Sequence, residues 1–203
     1  MTIQAIDRAI AHFPVLEECR ADMTAVTEAL VSMHRQGNKL LICGNGGSAA
    51  DSQHIAGELL KGFLSLRPLP EDVAPGLDAD LRQKLQQGIA AIPLNGLEGA
   101  LSAFINDVDP ALAYAQMVMA LGRPGDIFLG LSTSGNAKNV CAAAQTAHAL
   151  GLTTVGLTGR SGGKLAALCD MAIRVPETET YRVQELHLPV YHALCAGCEE
   201  ILF

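Results

Sequence analysis

Cys43-Gly44-Asn45-Gly46-Gly47-Ser48-Ala49-Ala50-Asp51-Ser52-Gln53-His54-Ile55-Ala56-Gly57-Glu58 is the stretch that decides the fold. It begins where the run Lys39-Leu40-Leu41-Ile42 ends, and it leads into a helix. A strand, a glycine loop and a helix in that order can hold an anion on bare backbone amides. Glycine lets the backbone approach the anion without a Cβ in the way. One turn further on, His54 and Glu58 stand at i and i+4 on one helical face.

Working outward, the same rhythm recurs. Strands are expected at Lys39–Cys43, Ile89–Leu94, Asp126–Leu131, Thr153–Leu157 and Met171–Val175. Helices are expected at Ser48–Phe63, Pro110–Leu121, Ala137–Leu150, Lys164–Cys169 and Thr180–Leu202. This alternation implies a parallel sheet covered on both faces, with right-handed crossovers. Sites in such sheets lie beyond the carboxyl ends of the strands. Both the 44–48 loop and Ser132-Thr133-Ser134-Gly135-Asn136 fall there.

Ahead of the sheet, Thr2–His12 reads as a helix with Thr2 as its cap, broken by Pro14. A second helix runs from Val15 or Arg20 to Gln36, with Leu16, Cys19, Met23, Val26, Leu30 and Met33 at helical steps. Gly37-Asn38 stops it. Residues 64–88 interrupt the alternation as an insertion, in which Leu77, Leu81 and Leu85 suggest a short amphipathic helix. The whole reads as a single domain, residues 1–203.

Composition agrees with a globular domain: 203 residues, 49% apolar and 17% charged. A net charge of −7 argues against a general nucleic-acid or membrane-surface binder. No stretch reads as a signal peptide or a membrane span, so a cytoplasmic protein is expected. The six Cys lie mostly inside apolar segments and are expected as buried thiols. Cys195-Ala-Gly-Cys198 is read as helical spacing of small core residues ahead of redox or zinc chemistry.

Each hydroxyl-bearing glycine loop alone reads as an ordinary capped turn. Two at equivalent strand ends favour a phosphate site, with Ser48, Ser132, Thr133 and Ser134 as neutral donors. Neither is a Walker A loop. In the last helix Gln184, Leu188 and His192 follow at i, i+4 and i+8, so Gln184 and His192 share a face. Imidazole, carboxylate and amide oxygen together suit zinc. His187 lies off that line, and His12, His34 and His148 read as surface residues. Pro189 should kink this helix.

The segments CGNGGSAADSQHIAGE (43–58), LSTSGN (131–136), LTGRSGG (157–163) and RVQELHLPVYH (182–192) resemble the sugar isomerase (SIS) domain family, and within it the phosphoheptose isomerases. The resemblance runs from Gly37 to Phe203. It implies a flavodoxin-like, doubly wound five-stranded parallel sheet. It also implies a homotetramer whose N-terminal helices (residues 1–37) form a central bundle, with active sites between subunits. The implied reaction converts sedoheptulose 7-phosphate to D-glycero-D-manno-heptose 7-phosphate through an enediol. The implied zinc ligands are His54, Glu58, Gln184 and His192. The implied phosphate hydroxyls are Ser48, Ser132, Thr133 and Ser134. Asn45 and Asp51 match residues lining the sugar, and Gly46, Gly47, Asn136 and Gln184 belong to the same substrate site. Glu58 would act as base and His192 as the opposing acid/base, unless Asp51 carries the proton.

Three departures stand out. Ala137 replaces a further Ser in the phosphate loop, Asn95-Gly96-Leu97-Glu98 replaces an Asp-Thr type pair, and 64–88 is longer than the family pattern. The first bears on the phosphate site and the other two on which sugar is bound, and two alternatives stand beside this reading. One is a non-catalytic SIS protein, either a sugar-phosphate sensor or a partner of the replication initiator. The other is an enzyme for another sugar phosphate.

Overall fold

A computed structural model describes residues 2–203. In chain order it contains α1 (Gln4–His12), a 3-10 segment at Pro14–Cys19, α2 (Arg20–Arg35), β1 (Leu40–Cys43), α3 (Gly47–Leu59) and α4 (Ala79–Lys84). There follow β2 (Ala91–Pro93), α5 (Glu98–Asp107), α6 (Ala113–Leu121), β3 (Ile127–Ser132) and α7 (Lys138–Ala149). The chain closes with β4 (Thr153–Thr158), α8 (Gly163–Leu168), β5 (Met171–Arg174) and α9 (Thr180–Leu202).

The strands form one five-stranded sheet in the order β2-β1-β3-β4-β5, and every pair is parallel. This is the doubly wound, flavodoxin-like order, with its switch point between β1 and β3. Side chains alternate across β1. Leu40 and Ile42 enter a core shared with α1, α2, α3 and α9, whereas Leu41 and Cys43 enter a second core built on α6 and α7. The two glycine loops leave β1 and β3 at this switch point.

The N-terminal helices belong to the first core. Ile6 and Ile10 of α1 and Met23, Val26, Leu30 and Met33 of α2 are buried there. Thr2 does not cap α1. The backbone N–H groups of Gln4 and Ala5 donate instead to the Glu200 carboxylate at the end of α9, each at 3.0 Å. A carboxylate far along the chain thus does the work of a local cap.

Other expectations shift at their edges. β2 spans three residues where six were expected, because the Ile89 N–H donates to the Leu59 carbonyl ahead of the ladder, and Pro93 has no N–H to give. Proline is tolerated here because β2 is an edge strand. The amphipathic helix expected around Leu81 forms as α4, capped by the Asp78 carboxylate on the Leu81 N–H at 2.9 Å. None of its residues is buried, so Leu81 and Leu85 face outward. α5 was not anticipated, and it too buries no residue. α9 runs unbroken through Pro189. All six Cys are free thiols, and Cys19, Cys43, Cys141, Cys195 and Cys198 are buried.

Candidate active site

The glycine loop after β1 is built for close approach. A Cβ on Gly44 would sit 2.5 Å from the Ser48 carbonyl oxygen, so only glycine fits. Gly46 turns with φ +57, and α3 starts one residue later, at Gly47. The Tyr114 hydroxyl donates to the Gly44 carbonyl at 2.7 Å and ties α6 to the loop. Ser48 is buried at this helix start.

The second loop is held just as tightly. Gly135 has φ +66, and a Cβ on it would lie 2.0 Å from the Gly162 carbonyl oxygen. The Asn136 amide donates to the Ser134 carbonyl at 2.9 Å, and its oxygen accepts from the Lys164 N–H at 3.2 Å. The turn at 159–163 therefore backs the Ser132–Asn136 loop. Ser132 is buried at the end of β3, while Ser134 and Asn136 are exposed.

The first loop is tied to the start of α7, the helix that follows the second loop. Asn45 and Asn139 exchange a pair of amide hydrogen bonds, each 2.9 Å, across the switch point. The Asn139 oxygen also accepts from the Val140 N–H at 3.0 Å. Asn95, at the end of β2, is committed inward. It accepts from the Ser52 hydroxyl at 2.5 Å and donates to the Ala49 carbonyl at 3.0 Å, clamping the first turns of α3.

α3 and α9 lie side by side and run parallel. Contacts at Asp51–Tyr191, His54–Tyr191, His54–His192 and Phe63–Glu199 keep separations between 136 and 140 residues. The Gln184 amide lies against Gly47 in the same register, 2.6 Å from where a Cβ would be. This register brings His54, Glu58 and His192 together: His54 Nε2 is 3.1 Å from Glu58 Oε1 and 3.4 Å from His192 Nε2. Gln184 stands two turns away, at the glycine-loop end, so the four residues are split between two neighbouring places.

Phe63 and Tyr191 pack their rings around His192, with centroids 5.4 and 5.0 Å away. Burial, and next the His54 ring, pull His192 below the usual histidine range, with Glu58 opposing. Burial pushes the Asp51 carboxyl above its usual range, against the Tyr191 hydrogen bond and His54. A carboxyl raised in this way is better suited to take up a proton.

The donors suit a cation in kind and in pairwise spacing. Two atoms bonded at ~2.0–2.1 Å to one tetrahedral zinc stand roughly 3.3–3.4 Å apart. The two spacings at His54 Nε2 are close to that value. Among the described residues, however, no group of three or more His, Cys, Asp or Glu side chains closes into a cage.

The comparisons with known proteins bear on this arrangement. The SIS domain family matches twice, over residues 9–88 and 99–196. The phosphoheptose isomerase of Trichlorobacter lovleyi is 39% identical over 196 residues, covering 95% of this chain and 90% of that protein. The chain belongs to the phosphoheptose isomerase family. The phosphoheptose isomerase of Desulfovibrio desulfuricans is 42% identical over 168 residues, covering 83% of this chain and 71% of that protein. Among solved structures, the phosphoheptose isomerase of Neisseria gonorrhoeae superposes with a TM-score of 0.76 at 33% identity, covering 98% of this chain and 100% of that one. The SIS assignment and the doubly wound fold expected from the motifs are both borne out, and the family is one of sugar-phosphate isomerases.

Around this candidate site, sequence reasoning missed Tyr191, Asn139 and a buried ion pair between Arg67 and Glu199. Tyr191 had a usable signal, since it follows Gln184 at i+7 on the same helical face. The others are non-local pairings with no sequence spacing to betray them.

Proposed function

We propose that this chain converts sedoheptulose 7-phosphate to D-glycero-D-manno-heptose 7-phosphate, moving a proton between adjacent carbons through an enediol. The observation that carries the reading is the meeting of His54, Glu58 and His192 two turns along α3 from a glycine loop that Asn45 ties to Asn139 of α7. The loops would take the ester phosphate through backbone N–H groups and the hydroxyls of Ser48, Ser132, Thr133 and Ser134. The sugar's reacting end would then lie toward α9.

His54, Glu58 and His192 would hold zinc, with Gln184 as the fourth donor or as a sugar contact beside Gly47. When bound, zinc would supply Lewis-acid stabilisation of negative charge developing on the sugar oxygens. Of Glu58 and His192, one that leaves the metal would remove or return the proton, or the raised Asp51 carboxyl would carry it in their place. The enzyme would be a cytoplasmic homotetramer with active sites at subunit contacts. One feature supports a subunit contact there: an apolar groove lined by Ala5, Phe13, Pro189, Ala193 and the exposed Leu64 opens beside His192.

A second reading, isomerisation of a different sugar phosphate, draws on Asn95. Its side chain is spent on α3, so the end of β2 offers a sugar less than an open polar pair would. Incubating the protein with a panel of five- to seven-carbon sugar phosphates, followed by NMR and by a zinc assay, tests both. Turnover of the seven-carbon ketose phosphate supports the first reading, and turnover of another sugar alone supports the second. Tightly bound zinc with no isomerisation of any of them would count against both.

A further inference from the structure

We propose that Lys138 and Lys164 supply the positive charge that draws the substrate's ester phosphate to the second glycine loop and holds it there, a step that rests on the phosphate reading above. The chain carries a net charge of −7, so its field as a whole repels an anionic sugar phosphate. Such an ester carries roughly two negative charges near neutral pH. The amides and hydroxyls of the loop answer it with partial charges only. Residues 127–169 nevertheless contain no Asp or Glu, and they hold Lys138, Arg160 and Lys164. That segment is β3, the second glycine loop, α7, β4, the 159–163 turn and α8. The acids of this acidic protein are kept out of the stretch that builds the loop.

Both lysines are anchored on the loop. Lys138 is the first residue of α7, just after Asn136 and Ala137. The Lys164 N–H donates to the Asn136 amide oxygen at 3.2 Å, and the Leu165 N–H donates to the Gly135 carbonyl at 2.9 Å. Both lysines are exposed. Among the described residues they are also the lysines without a carboxylate partner. Lys39, Lys61 and Lys84 are paired with Asp126, Glu58 and Asp80. Arg160 is occupied as well, by Glu18 and by the Pro176 carbonyl. Two ammonium groups are left for a ligand.

The start of α7 points the same way. It has neither a capping side chain nor an acidic residue in its first turn. Lys138 there stands against the helix macrodipole, which favours negative charge at this end. An anion bound on the loop would offset that repulsion. Lys164 acts from the other side. Burial pushes the Cys141 thiol up and Lys164 opposes it, while Cys141 Sγ lies 3.7 Å from the Gly135 carbonyl oxygen. The Lys164 charge therefore reaches the underside of the loop.

The test titrates inorganic phosphate, at a pH where it is a dianion, into the wild type and into the double variant Lys138→Met/Lys164→Met. Calorimetry reads the affinity at about 20 mM and at about 500 mM sodium chloride, which leave such charges weakly and strongly screened. A thermal melt reports folding. The Met variant is expected to bind about tenfold more weakly at low salt and within about twofold of the wild type at high salt, at an unchanged melting temperature. Lys138→Arg/Lys164→Arg keeps the charge and should bind as the wild type does. Equal affinity of the wild type and the Met variant at low salt overturns the inference. So does a loss of the same size at both salt concentrations, which marks a packing effect, and so does an Arg variant as weak as the Met variant. Wild type that binds no phosphate brings down the phosphate reading and this inference with it. Equal binding is a different outcome, in which that reading stands and the lysines alone fall.

Discussion

Arg67 and Glu199 form an ion pair sealed from solvent, with Arg67 Nε 2.8 Å from Glu199 Oε1. Glu199 also accepts the N–H groups of Phe63, Leu64 and Ser65. Burial pushes its carboxyl up, but the Phe63 and Leu64 N–H groups and Arg67 together hold it below the usual range. Arg67 donates in turn to the carbonyls of Leu59 and Glu58. One buried pair thus buckles the end of α3, which carries His54 and Glu58, to α9, which carries His192.

Breaking that buckle should be expensive. Arg67→Met leaves a carboxylate buried without its cation, a change that costs ~3–5 kcal/mol. Denaturant titration of Arg67→Met against wild type measures it. A loss under about 1 kcal/mol, typical of an exposed pair, would show that the pair is not sealed as described.

The second glycine loop tolerates no side chain at Gly135. Gly135→Ala places a Cβ against the Gly162 carbonyl oxygen at a positive φ, so the loop must move. Affinity for inorganic phosphate, read by calorimetry, should fall at least tenfold. Gly57→Ala is the contrasting case, since Gly57 sits within α3 with nothing inside 4 Å of a new Cβ. It should stabilise the protein by about 0.5–1 kcal/mol.

His187 supplies a pH dependence of stability. It is fully buried, its ring nitrogens have no hydrogen-bond partner, and burial pulls it down to about 4. The Thr158 backbone, outside hydrogen-bond geometry, opposes this. The unfolded chain therefore takes up the proton first as pH drops below the ordinary histidine value. Stability is full above about pH 7 and falls by ~2 kcal/mol by pH 5 from this group alone. His187→Phe should flatten that part of the curve, and denaturant midpoints at pH 7.5 and 5 read the difference.

The Asn45–Asn139 pair should set how well the two loops share one anion. A lost amide pair worth ~1 kcal/mol corresponds to about fivefold in affinity. Asn139→Ala is expected to raise KM by that order with a smaller change in kcat. An unchanged KM would mean that the pair plays no part in holding the substrate.

Much of this architecture was legible in the sequence because its signals are local. β1, β3 and β4 are apolar runs that end in glycine loops, and the loops carry the hydroxyls. β2 was overestimated because an edge strand can lose an N–H to a neighbouring helix end and accept Pro93. α5 was missed because the Asn95-Gly96 turn hid its start and no buried face marks its length. The site was half legible. His54 with Glu58, and Gln184 with His192, share faces by spacing alone. How α9 slides along α3 is decided by packing, and that register separates Gln184 from His192's partners, brings Tyr191 between Asp51 and His54, and sets Glu199 on Arg67.

The most direct test of the account is the zinc content of the purified chain, measured beside Glu58→Gln and His192→Ala after identical dialysis, with isomerisation of sedoheptulose 7-phosphate followed in the same samples. The account predicts stoichiometric zinc and turnover in the wild type, and loss of both in each variant with the fold retained. Wild type that isomerises the sugar without zinc, or variants that keep both metal and turnover, would contradict it.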